Sequence, residues 1–186
     1  MSAIPFNLYP FKRNEPPETT VIALSGYTSR SQDSISIIYR FRSGENRIDQ
    51  LIDIQPTEPH PRRLDGLWQR TCCECFLTSK ETQGYWEFNL SPSGDWNAYQ
   101  LEGYRKGLRP DLHIKQLAYG RKTDHDQLEV MMMLQIPKQL RRRNGLKLGI
   151  AAVIEHPSKS LSYWALCHTG RDADFHNRDS FLIEMD

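Results

Sequence analysis

Glu87 and Asn89 stand two residues apart in the run Y-W-E-F-N-L-S-P-S-G-D-W (85–96), interleaved with Trp86, Phe88 and Leu90. On a β-strand successive side chains point to opposite faces, so the acid and the amide share one face and the large apolar residues take the other. A carboxylate accepts hydrogen bonds and an amide both donates and accepts. Such a face suits the hydroxyl groups of a polar ligand. Each bond contributes only about 0.5–1.5 kcal/mol net, so several must converge to give useful affinity. On an open sheet the same two residues would be a solvated face, with Glu87 in a cross-strand ion pair. The bulk of Trp86, Phe88 and Leu90 already supplies a core side, which favours the ligand floor.

The densest polar cluster lies in L-C-H-T-G-R-D-A-D-F-H-N-R-D (166–179), where His168, Asp174, His176 and Asp179 fall close together. Two histidines with carboxylates are the groups of metal sites and of acid–base chemistry. The spacing H-x7-H matches no established zinc motif, and Asp174 capping a turn with His176 packed in the loop is the structural alternative. Trp164 shares strand parity with His168. Trp68 follows the turn pair Asp65-Gly66 and either offers a flat apolar platform at a loop edge or closes one end of a core. Trp96, Tyr99 and Tyr104 read as packing residues and Arg105 as surface.

The remaining chemistry is mostly excluded. No G-x-S-x-G, phosphate loop, dinucleotide fingerprint or H-E-x-x-H occurs. Cys72, Cys73 and Cys75 cannot converge on one ion from alternating faces of a strand, and with Cys167 far away they read as buried free thiols. A net charge of +1 gives no field to recruit nucleic acid or an anionic membrane. The basic run Arg141-Arg142-Arg143 sits beside Asn144-Gly145 and reads as a solvated loop. No apolar run approaches the roughly 20 residues of a spanning helix. The proline-broken start M-S-A-I-P-F-N-L-Y-P-F-K-R resembles no signal peptide. A cytoplasmic protein without membrane partners is therefore expected.

Period two dominates the elements that must hold these groups. Ile35, Ile37, Tyr39 and Phe41 alternate with polar residues, as do Leu128, Val130, Met132, Leu134 and Ile136, and then Leu146, Leu148, Ile150, Ala152 and Ile154. These are strands. Weaker candidates lie at 20–25, 72–78, 85–91, 95–102, 112–120, 160–168 and 180–185. Only 45–54 has helical spacing. About ten short strands without crossover helices predict one domain over 1–186. Its expected fold is an all-β, antiparallel two-sheet β-sandwich of jelly-roll or immunoglobulin-like form, with 128–136 near its centre.

Three blocks carry a family resemblance. L-D-G-L-W-Q-R-T-C-C-E-C-F-L (64–77) resembles the strand with a tryptophan followed by E-x-F-L in family-nine carbohydrate-binding modules and the wider DOMON-like group. Y-W-E-F-N-L-S-P-S-G-D-W-N-A-Y (85–99) is similar to the segment that follows it there. Y-W-A-L-C-H-T-G-R-D-A-D-F-H-N-R-D-S-F (163–181) resembles the closing hairpin of a bacterial DOMON-like subfamily. The resemblance implies a β-sandwich and a role in binding rather than catalysis. Trp68 matches the family's sugar-stacking tryptophan. For the second, C-terminal tryptophan this sequence offers only Trp164, while the matching loop holds Phe175 and His176. Other DOMON-like domains bind haem through a methionine and a histidine, here Met131 to Met133 and His168.

The expected function is a non-catalytic module for a small polar ligand, a saccharide first among the classes. Its contacts are Trp68, Glu87, Asn89, Trp164, His168, Asp174 and His176. The cofactor expectation is none. A haem or metal protein using His168 and His176 is the second reading. A sugar-derivative hydrolase or isomerase with Glu87 and His168 or His176 as acid–base pair is the third.

Overall fold

Ile35, Ile37, Tyr39 and Phe41 are fully buried while the residues between them are half-exposed, as a strand with one dry face requires. The computed structural model describes residues 3–12 and 16–185. In chain order its strands are β1 (Ile4–Pro10), β2 (Ala23–Arg30), β3 (Ser34–Arg42), β4 (Cys72–Ser79), β5 (Tyr85–Leu90) and β6 (Trp96–Leu101). There follow β7 (Arg109–Pro110), β8 (Ala118–Thr123), β9 (Gln127–Gln135), β10 (Leu146–Glu155), β11 (Leu161–Ala165) and β12 (Ile183–Met185). Every pairing between them is antiparallel. The all-β antiparallel expectation holds.

The expected pair of separate sheets is instead one hydrogen-bonded path, β7-β6-β5-β4-β10-β11-β1-β2-β3-β9-β8, with β12 added on β10. The link is β1. It pairs with β2 from Ile4 to Leu8 and with β11 through Tyr9–Ala165 and Pro10–Trp164. The sheet curls, so that β3 and β9 from one half and β4, β5 and β10 from the other fill a single apolar core. Across that core the Tyr39 hydroxyl donates to the Glu74 carbonyl at 2.7 Å.

Local expectations fare unevenly. The strand β9 lies one place from the sheet edge, between β3 and β8. Its alternation reports one buried face, which an outer strand can have as well as a central one. The strand β1 was not expected, because its terminal prolines masked the alternation of Phe6 and Leu8, both buried. The helical spacing at 45–54 yields only a short 310 turn, Ile48–Gln50, with Ile48 and Ile52 plugging the core. The basic run is a turn in which Arg141 donates to the Ile136 carbonyl and Arg143 pairs with Glu81. Among the described residues, no helix is long and apolar enough to cross a membrane.

One region departs from one-face burial. The strands β4 and β5 are buried along their whole length on both faces. Their outer face carries a second apolar cluster in which Phe76, Tyr85, Tyr99 and Leu101 meet Ala151, Ala165 and Phe181, with Phe175 packed on it. The segment 166–182 folds back over this face. Arg178 pins it, donating to the carbonyls of Thr82 (2.8 Å), Gln83 (3.1 Å) and Ser79 (3.1 Å) and to the Thr78 hydroxyl (3.0 Å).

Gly26 in β2 has no room for a side chain, since an added Cβ would lie 1.8 Å from the Ile38 carbonyl oxygen and 2.5 Å from the Phe6 ring. Gly26→Ala is expected to cost about 1–3 kcal/mol through overpacking. Urea unfolding measures it, and a change below about 0.5 kcal/mol, the size of a neutral surface substitution, would contradict the packing described.

Candidate ligand-binding site

The polar side chains of β4, β5 and β6 line up in cross-strand rows on the outer face. Glu74, Asn89 and Asn97 form one row, and Phe76, Glu87 and Tyr99 the next. Glu74 and Glu87 are each only 4% exposed, and Asn89 and Asn97 are buried as well. A cavity of about 550 Å3 opens above Glu74 and Glu87, within the roughly 300–1,000 Å3 of small-molecule sites. Trp68, Tyr163 and Phe175 form its aromatic walls, Val153, Leu101 and Leu108 its aliphatic ones, and Gln69, Arg105 and His176 contribute polar groups.

Each wall has a local cause. Gly66 takes the left-handed conformation (φ 74°) that opens the 310 turn Leu67–Gln69, a conformation costly for other residues. The strand β6 anchors the segment before that turn, because Asn97 Nδ2 donates to the Leu64 carbonyl (3.0 Å) and Asp65 Oδ1 (2.9 Å). The Tyr99 hydroxyl donates to the same Asp65 oxygen at 2.7 Å. Trp68 is thereby set edge-on to the Tyr99 ring, centroids 6.1 Å apart, and stays 37% exposed. It stands at the cavity mouth and does not plug the core.

On the opposite rim Arg105 also has a left-handed backbone (φ 52°), unusual for a non-glycine residue. Its backbone N–H donates to the Tyr85 hydroxyl at 3.3 Å, and that hydroxyl shares a 2.8 Å hydrogen bond with His176 Nδ1. Asp174 clasps the two loops together. It accepts from Arg105 Nη2 (2.8 Å), the Tyr104 hydroxyl (2.6 Å) and the His176 backbone N–H (3.1 Å). Burial works against the Asp174 charge, but these hydrogen bonds and the guanidinium outweigh it and hold its carboxyl below the usual range. Burial, reinforced by the Arg105 charge, pushes His176 down to about 4, so the ring is neutral at physiological pH.

The floor is electrostatically incomplete. Burial raises the Glu74 carboxyl well above its ordinary value, and the neighbouring Glu87 charge raises it further. Burial raises Glu87 too, opposed by a 2.8 Å hydrogen bond from Asn89 Nδ2 and by the Arg105 charge. Among the described residues, Glu74 Oε1 and Asn89 Oδ1 are the buried side-chain polar atoms without a hydrogen-bond partner. A second hollow of about 390 Å3, beside Asp111 and Ile114, has no such atom. Asp111 there accepts from Trp86 Nε1 (2.9 Å) and the His113 backbone N–H (2.9 Å).

The residues singled out in the sequence divide accordingly. Trp68, Glu87 and His176 line the cavity, Asn89 supports Glu87 beneath it, and Asp174 holds its rim. Trp164 does not reach it. The residue is 2% exposed in the main core, its Nε1 donating to Ser162 Oγ at 2.9 Å, because strand parity turns it inward while Tyr163 faces the cavity. His168 stands apart, its Nε2 donating to the Tyr9 carbonyl at 2.9 Å and its ring against Phe11 and Phe175. Met132 is in the core, and among the described residues no group of three histidines, cysteines or carboxylates could hold a metal ion. Cys73 and Cys75 join the core, while Cys72 lies buried on the outer face.

Sequence reasoning passed over Glu74, Gln69, Tyr163 and Leu108, and read Arg105 as surface. Glu74 had a signal: it is the lone charge between Cys73 and Cys75, and pairing β4 with β5 sets it beside Asn89.

No family model matches the sequence, and no curated protein matches it. Solved structures do. The chain is similar to a "putative carbohydrate-binding protein" from Bacteroides uniformis, at 11% identity and a TM-score of 0.59 over 97% of this chain and 84% of that one. At that level the likeness is one of fold. A family-nine carbohydrate-binding module from Caldicellulosiruptor kristjanssonii in complex with cellotriose also aligns, at 11% identity and a TM-score of 0.45 over 78% of this chain and 65% of that one.

The raised carboxyls make a stability prediction. The folded chain keeps a proton that the unfolded chain, with glutamates near about 4.3, has released. Stability tied to that proton is fully present below the unfolded value and drains away as pH rises through the folded one. Glu74→Gln, which cannot ionise, should therefore raise the thermal midpoint at about pH 8 and leave it nearly unchanged at about pH 4. Melts at both values test this, and a midpoint lowered at the higher pH would contradict a raised Glu74.

Proposed function

We propose that this protein is a non-catalytic saccharide-binding module, a DOMON-like all-β domain whose ligand lies between Trp68 and the Tyr163–Phe175 wall with its polar edge on Glu74 and Glu87. The observation that carries the reading is the unpartnered Glu74 oxygen at the floor of an aromatic-walled cavity. A buried acceptor without a donor costs about 1–3 kcal/mol, and a ligand hydroxyl would recover that cost. Sugar rings present hydroxyls at their edge and C–H groups on their faces, which matches polar floor to aromatic wall. The likeness in fold to the Bacteroides uniformis protein points the same way.

A hydrolytic reading has one observation in its favour, two carboxyl groups in one cavity that burial raises above their ordinary range. Glycoside hydrolysis uses such a pair. His168, offered in the sequence reading as a partner base, stands outside the cavity, and His176 has its Nδ1 engaged by Tyr85.

Isothermal titration against a panel of mono- and oligosaccharides decides between them. Binding is expected, weakened by roughly tenfold or more in Trp68→Ala and in Glu87→Ala, with no product from activated glycosides. Binding unchanged in both variants would move the ligand elsewhere, no binding would remove the saccharide reading, and turnover lost in Glu87→Ala would establish the hydrolytic one.

A further inference from the structure

The floor of the cavity lacks one kind of group in particular. Glu74 Oε1 and Asn89 Oδ1 are both acceptors without donors, and Glu87 Oε1 is served only by its own neighbour, Asn89 Nδ2. Of the donors nearby, the Tyr99 hydroxyl is engaged by Asp65 and two groups of the Arg105 guanidinium by Asp174. Among the described residues Arg105 is also the one permanent cation in the lining, set against the two carboxyl groups of Glu74 and Glu87. His176 stays neutral and supplies no charge.

A sugar hydroxyl brings one donor, and its own lone pairs find acceptors there. An ammonium group brings three donors, no acceptor and a positive charge. It fits this inventory better than any neutral group. The aromatic walls add to the match, since cations are attracted to ring faces and Trp68 is the strongest such face.

We infer that the saccharide recognised here is an amino sugar, its free ammonium group directed onto Glu74, Glu87 and Asn89 while its ring lies against Trp68. This rests on the saccharide reading above and narrows it to one class. An ammonium on a carboxylate adds the attraction of opposite charges to its hydrogen bonds, which a neutral hydroxyl does not. With an ammonium group beside it, the Glu74 carboxyl gives up the proton it keeps in the empty site and is held as a paired carboxylate.

Titration of the full chain with matched hexoses tests this, each ring supplied as the parent sugar, the 2-amino and 6-amino forms and the N-acetylated amine. The expected result is an amino form bound roughly tenfold more tightly than its parent, with N-acetylation abolishing the gain. In Glu74→Gln the amino-to-parent preference, read as the ratio of the two affinities measured in that variant, should fall to less than about threefold, whatever the variant does to binding of both. Circular dichroism of that variant checks that it is folded. Parent sugars bound as tightly as their amines would overturn the inference and leave the saccharide reading standing. An amine preference intact in folded Glu74→Gln would also overturn it. No binding by any member would overturn both.

Discussion

Burying a carboxyl group without a partner is the constraint around which this molecule is arranged. An ionised glutamate taken out of water costs several kcal/mol unless something compensates it, and Glu74 has an oxygen with no donor at all. The fold meets that cost by shifting the group toward its neutral form and by putting Asn89 and Arg105 beside its neighbour Glu87. A core built only for stability would place an apolar residue there, as Phe76 does two residues along the same strand face. Retaining the acid makes sense where stability is exchanged for a site.

The rest of the outer face follows from keeping that acid dry. Strands buried on one face would leave Glu74 and Glu87 in solvent. Here the segment 166–182 is drawn across the sheet by Arg178 and clasped to the 103–107 turn by Asp174. The second aromatic cluster fills the space beneath it. The cover is incomplete between Trp68 and Phe175, and that gap is the cavity. The left-handed backbone at Arg105 belongs to the same arrangement, because strain of this kind persists where the surroundings hold it in place.

Much of the fold was legible from alternation alone. Ile35 to Phe41 and Leu128 to Ile136 announce half-buried strands, and period two is a strong signal wherever one face is wet. The same rule left the central feature open. In β4 and β5 alternation puts Glu74, Glu87 and Asn89 on a polar face, and only the bulk of Trp86, Phe88 and Leu90 favoured a ligand floor there, since the pattern cannot say whether a distant segment will cover it. Parity likewise separates Trp164 from Tyr163 only once register is known, and it was Tyr163 that reached the site. Trp68 was readable because Asp65-Gly66 marks a turn. Arg105 was not, because its role comes from Asp174, almost seventy positions away in the chain and adjacent only in space. The union of two sheets through β1 depends on long-range pairing at Tyr9 and Pro10, which no local pattern records.

The central claim is that the outer face of β4 and β5 is a ligand floor and not merely an inward-turned polar seam. A crystal structure of the protein grown with the tightest-binding sugar of the panel tests it most directly. The account predicts density for a sugar ring against Trp68, with a donor group within hydrogen-bond distance of Glu74 Oε1. Sugar bound on another surface, with Glu74 still unpartnered, would contradict it.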